Sequence, residues 1–211
     1  MAGNAPSRPR RKKAQVGAAG LIDIGEALLG RHGLDGISMR QVSTMAGLSN
    51  PASVQYHFGN RDELIRAIWE KRLPGIDASR RRLLARLDAE PSLLALLDCL
   101  CRPFAYEFRS FAQFLGRVLR SGEHLQSRLE FNSLAPTSQQ ISDRIAALLP
   151  LERDVLDFRL LSAILLVLDA LASPSPTAAR AWQEPDIGKA YREALAAALG
   201  CLTAPVATPL P

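Results

Sequence analysis

The side chains able to ligate a metal or attack a substrate are few. They are His32, His57 and His124, with Cys99, Cys101 and Cys201. None stands at ligand spacing with Cys, Asp or Glu in a recognisable metal motif. Cys99-x-Cys101 reads as two faces of one helix. Three thiols make no even disulfide framework, so a reducing cytoplasm is the expected setting. There is no phosphate-cradling loop, no dinucleotide-binding glycine pattern and no nucleophile elbow. No cofactor and no metal are expected. An enzyme would need a site assembled from distant helices, which is kept as the remote alternative.

The chemistry that does show is electrostatic. The chain carries a formal charge of +5. Residues 1–72 hold eleven Lys/Arg against six Asp/Glu, while the remainder holds fifteen of each. The whole excess therefore lies in the first third and points to an anionic partner for that third, a solvated basic tail being the alternative. Residues 1–13, with Pro6, Pro9 and the cluster Arg8–Lys13, read as a disordered basic arm. No apolar core follows this arm, so no secretory signal is expected. The most apolar stretch, Leu160–Leu168, is too short at ~1.5 Å per residue to cross a bilayer. A soluble protein with no membrane partner is expected.

The elements that must position these residues are all helices. Helix 1 runs from about Ala14 to Arg31, with Leu21, Ile24, Gly25 and Leu28 on one face, and stops at Gly33. Ser38-x-x-Gln41 is a capping-box start, followed by Met39, Val42 and Ala46 on one face. Gly47-Leu48-Ser49 is a turn. Asn50-Pro51 starts a short helix to about His57, because Asn caps and Pro at the first position lacks only an unpaired amide. Gly59 breaks it, and Asn60-x-x-Glu63 starts the next helix. Two short helices joined by a glycine turn make a helix-turn-helix over about Ser38–Phe58.

The helix from Arg61 carries Leu64, Ile65 and Ile68 inward, and Pro74 predicts a kink or break at 73–75. Arg80, Arg81 and Arg82 point in three directions and read as solvated, with DNA-backbone contact as the minor alternative. From Pro91 the pattern is a helical bundle. Leu93, Leu96, Leu97 and Leu100 form a stripe, continued by Phe104, Phe108, Phe111, Leu115 and Val118 with a break near Ser110. Ile141, Ile145, Leu148 and Leu149 mark a helix ended by Pro150. Further helices span about 152–171 and 185–199. The fold class is all-α: a three-helix head and a helical bundle, with a frayed tail at 203–211.

The stretch Leu21–Leu64 resembles the TetR-type repressor family. The carrying pieces are Ala27-Leu28-Leu29 with Gly33, Ile37-Ser38-Met39-Arg40-Gln41-Val42, Ala46-Gly47-Leu48-Ser49, and Val54-Gln55-Tyr56-His57-Phe58-Gly59-Asn60-Arg61-Asp62-Glu63-Leu64. The sequence departs from the usual pattern twice. The turn is one residue longer, which places Asn50 rather than Ser49 at the cap. Gln55 also stands where a tyrosine is common, in a Gln-Tyr-His-Phe-Gly variant. The resemblance implies a head at 14–60 that binds a double-stranded DNA operator, and a part at 61–202 that binds an effector and dimerises.

Within that frame Ser49, Asn50 and Ser53 are candidates for phosphate or base contact. Gln55 can pair bidentately with adenine. Tyr56 and His57 suit backbone contacts, which position without specifying. Arg40 and Gln41 reach phosphate from the preceding helix, Arg61 from the next, and Arg10, Arg11, Lys12 and Lys13 from the arm. The competing readings are a solvated Gln55 and a structural hydrogen bond for His57.

For the bundle the resemblance implies a small apolar effector. Five of the seven phenylalanines lie between 104 and 131. They are read as core or as an effector wall, with Phe104, Phe108 and Phe111 lining it and Arg117 or His124 as polar anchors. The last two helices would pair with their mate in a homodimer through Leu161, Leu165, Leu168, Tyr191, Leu195 and Ala198. Two recognition helices would then stand ~34 Å apart on a near-palindromic operator. A DNA-binding regulator or architectural protein without effector is the alternative.

Overall fold

The computed structural model describes residues 17–34, 36–48, 50, 52–121, 131–172 and 187–206, and no strand occurs among them. Helix α1 (Ala18–His32) buries Leu21, Gly25, Leu28 and Leu29, and ends at Gly33, whose N–H closes on the carbonyl of Leu29. Helix α2 (Met39–Met45) begins with the expected capping box. The Ser38 hydroxyl accepts the Gln41 N–H at 3.3 Å, and the Gln41 side chain accepts the Ser38 N–H at 2.7 Å. Gly47, at φ 65°, makes the turn, a conformation that a side chain at that position would oppose.

Helix α3 spans Ser53–Phe58, later than the Asn-Pro pattern predicts. Asn50 still does capping work one turn earlier. Its Oδ1 accepts the Ala52 N–H at 3.0 Å and its carbonyl accepts the Ser53 N–H at 3.1 Å.

Helix α4 (Arg61–Leu84) starts as expected, with Asn60 capping the Glu63 N–H at 2.9 Å and with Asp62 and Glu63 in the first turn. It does not break at Pro74. The proline ring faces solvent, while Leu73 and Ile76 on either side of it are buried. Packing of that face outweighs the missing amide hydrogen bond.

Helices α5 (Leu93–Tyr106) and α6 (Arg109–Ser121) are separated at Glu107–Phe108, just before the expected break at Ser110. A 3₁₀ turn at Phe131–Leu134 leads into α7 (Pro136–Leu148). Helices α8 (Arg153–Ala172) and α9 (Ile187–Thr203) pack on each other, and α6 packs on α8. Among the described residues no helix is long and apolar enough to cross a membrane.

One core runs through the head and the bundle. Leu21, Leu64, Ile65 and Ile68 continue into Trp69, whose ring stands edge-on to Phe111 and Phe114 at centroid distances of 5.3 and 5.9 Å. A second link is helix on helix. At Gly30 of α1, a Cβ would sit 3.1 Å from the backbone nitrogen of Phe114, so α1 and α6 approach closely there.

Candidate nucleic-acid interface and bundle cavity

The helix-turn-helix is locked by a residue that no sequence motif singles out. Ser43 is fully buried on α2, and its Oγ donates to the Met39 carbonyl and accepts the N–H of Val54 on α3 at 3.3 Å. Val42 and Val54 are buried beside it and Phe58 is half-buried. With residues 54 and 58 inward, residues 55 to 57 turn outward. Gln55, Tyr56 and His57 are all exposed, Tyr56 by 89%. Tyr56 and His57 touch edge-on at 5.8 Å. Among the described residues the three side chains have no hydrogen-bond partner.

The flanking candidates divide. Arg40 is exposed on α2 with its guanidinium unpaired among the described residues. Gln41 uses Oε1 in the capping box, which leaves its amide N–H groups to donate outward. Asn50 likewise uses Oδ1, and Ser53 is half-buried. Arg61 is drawn into the head, where its Nη1 donates to the carbonyl of Leu34 at 2.7 Å and ties down the chain between α1 and α2. Ser49, Arg10, Arg11, Lys12 and Lys13 lie outside the described residues, as does His124.

Behind the exposed face of α3, α4 is bolted to α1. Arg72 pairs with the buried Glu26 at 2.5 Å and with Asp23 at 2.7 Å, and Lys71 pairs with Asp23 at 2.6 Å. Desolvation alone would lower the pKa of the Arg72 guanidinium, but the Glu26 and Asp23 carboxylates outweigh it and hold the group above its usual value.

The middle of α4, from Trp69 to Arg80, forms one wall of a cavity of about 610 Å³ among α4–α8. Phe104 and Phe111 line it. Phe108 does not. It packs on α4 at Gly75, where a Cβ would meet its ring at 3.0 Å. Arg117 does not line it either. It sits on the other side of α6, in a separate hollow of about 570 Å³ with Gly30, Arg31, Gln113, Arg120 and Asp169, and its Nε approaches the Gly30 carbonyl at 3.4 Å.

The buried charge at the cavity wall is Arg80, which corrects the reading of all three arginines as solvated. Arg80 is only 6% exposed, and burial lowers its pKa to about 10. Arg81 and Arg82 are exposed and pair with Asp77 and Glu107. The sequence does carry a signal for this: Trp69, Leu73, Ile76 and Arg80 share one face at i, i+4, i+7 and i+11. The run of three charges hides it.

The expected dimer residues also divide. Leu168, Tyr191, Leu195 and Ala198 are buried within the chain's own core. The Tyr191 hydroxyl donates to Asp98 Oδ1 at 2.7 Å, and burial holds the phenol well above its ordinary pKa. Leu161 and Leu165 are half-exposed, on a helix that also exposes Phe158 by 71%. Among the described residues no group of His, Cys, Asp and Glu is arranged to hold a metal. Cys99 and Cys101 are buried on α5, where desolvation raises the Cys101 thiol to about 12.

No family model matches the chain, and no curated protein does. Among solved structures the chain is similar to the crystal structure of PfmR, a TetR family transcriptional regulator from Thermus thermophilus. The TM-score is 0.55 at 18% identity, covering 89% of this chain and 96% of that one. At that identity the likeness establishes the fold alone: the all-α arrangement is similar to that of PfmR.

Proposed function

We propose that the chain is a TetR-type transcriptional repressor. As a homodimer in the cytoplasm, it binds a near-palindromic double-stranded operator through α2 and α3 and is released by a small, largely apolar effector. The observation that carries this reading is the outward face of α3. Gln55, Tyr56 and His57 are hydrogen-bonding side chains without partners among the described residues, on a helix whose backbone is fixed by Ser43. A rigid helix with free polar tips suits base edges and phosphates in a major groove.

The cavity and α4 supply the release. α4 carries the cavity wall at Trp69, Leu73 and Ile76, and contacts α1 through Lys71 and Arg72. An effector that favours one position of α4 therefore acts on the head, with a typical coupling of ~1–3 kcal/mol. For the dimer, support comes from the uncovered flank of α8. Phe158, Leu161 and Leu165 are apolar and incompletely covered, and the exposed Ala196, Ala197 and Gly200 of α9 let a partner helix approach closely.

The test is selection of genomic DNA fragments by the purified protein. The expected result is an inverted repeat with half-sites one helical turn apart, ~34 Å. Binding without sequence preference would overturn the reading.

A further inference from the structure

Arg80 is a buried cation that makes no direct salt bridge among the described residues, although Asp77, three residues earlier on α4, acts on it through space. Its Nε and Nη2 both donate to the carbonyl of Leu100, at 3.0 and 2.8 Å, and Nη1 donates to Ser138 Oγ at 2.6 Å. A guanidinium has five N–H groups. One on Nη1 and one on Nη2 therefore have no acceptor among the described residues. The guanidinium also stands over the Phe104 ring, 5.0 Å from the centroid.

The nearby carboxylates are committed elsewhere. Asp77 accepts the Thr137 N–H at 2.8 Å and pairs with Arg81. Asp157, at the cavity's exposed side, pairs with Arg153 at 3.1 Å. Buried charges are ordinarily paired, because an isolated one loses its hydration without compensation. Here the unpaired N–H groups belong to a side chain that lines a cavity with apolar walls at Trp69, Leu73, Phe111, Leu115 and Ile164 and a polar side at Ser138, Gln139, Ser142, Arg153 and Asp157.

We propose that the cavity takes a monocarboxylate with an apolar body, its carboxylate received by Arg80 and its aliphatic or aromatic part by the walls. A guanidinium fork matches two carboxylate oxygens, and such charge-assisted bonds strengthen away from water. The cavity volume of about 610 Å³ lies within the range of small-molecule sites. The inference rests on the proposed repressor's effector site and deepens it. Its test reads binding to the full chain without DNA, so it stands or falls separately from operator recognition.

The probes are octanoate, decanoate, dodecanoate, 4-phenylbutyrate and 2-naphthoate, each paired with its neutral primary amide. Binding is read by tryptophan fluorescence and by thermal shift. The expected result is that at least one carboxylate binds tenfold or more tightly than its amide. In Arg80→Gln that preference falls below twofold while amide binding persists. In Ile164→Trp, which fills the cavity, both are lost.

Carboxylates that bind no better than amides, or that do not bind at all, overturn the proposal. So does a preference that survives Arg80→Gln, or binding that survives Ile164→Trp. If Arg80→Gln does not fold, the wild-type comparison and Ile164→Trp still decide.

Discussion

The head and the bundle use polar groups differently. In the head, Ser43 and Arg61 do reach across elements, but the helix starts are fixed by caps between near neighbours. Ser38 closes on Gln41 and Asn60 on Glu63, each three residues apart, so the outward side chains of α3 stay free. In the bundle, polar side chains hold distant elements together. Arg80 reaches Leu100 and Ser138, Asp77 reaches Thr137, and Tyr191 reaches Asp98. What remains open there is a cavity. Under the proposed function, unengaged polar atoms suit a surface that meets an external polymer, and polar atoms built into the walls suit a site that closes around a small molecule.

The sharpest break of this contrast would be to find that the two regions are separate folding units. The shared core predicts otherwise. Trp69→Ala removes the ring that joins α4 to Phe111 and Phe114, and should cost ~3–5 kcal/mol. Urea unfolding followed by fluorescence and by circular dichroism should show one displaced transition. Two resolved transitions, one unmoved, would mean that the head does not depend on this joint.

A smaller effect should separate contact from architecture. Gln55→Ala should weaken operator binding by ~1–3 kcal/mol and relax discrimination at one base pair. Its stability should stay within about 0.5 kcal/mol of wild type, because the side chain is exposed and holds nothing. Ser38→Ala should do the reverse. Loss of the cap should cost ~1 kcal/mol of stability with base preference unchanged. A base-specific defect in Ser38→Ala would show that the cap residue is itself part of the readout.

This division also decides what can be read from the residues. Capping, glycine turns and helical stripes act over three to seven residues, so the head's elements and most helix bounds are legible in the sequence. The break expected at Pro74 fails because tertiary burial of Leu73 and Ile76 opposes a local rule. Arg80 escapes prediction for the same reason. Its type argues for solvent and its register for the interior, and the register prevails once Leu100 and Ser138 supply acceptors. Arg117 faces a different hollow from the one expected, because helical spacing gives a face but not the neighbour it meets. The start of α3 at Ser53 lies beyond the expected one, since Asn50 caps a turn that precedes the α-helix.

The smallest predicted effect concerns the joint between the two regions, and its sign needs both opposing contributions. Gly30→Ala raises helix propensity by about 1 kcal/mol, which favours α1. The added methyl would lie 3.1 Å from the Phe114 nitrogen and 3.2 Å from the Gln113 Cβ, too close for either to remain in place. The nearest neighbour is helix backbone rather than a flexible tip, so α6 must move as a body, and overpacking of this kind costs ~1–3 kcal/mol. The contact is relieved by a shift of a few tenths of an ångström, which puts the cost at the low end of that range, so the net should be a small destabilisation. It should be accompanied by a change in operator affinity, because the shift alters how the head sits on the bundle. A variant that melts higher than wild type and binds the operator unchanged would show that α1 and α6 have slack at this contact. The position of the head would then be set by α4 alone.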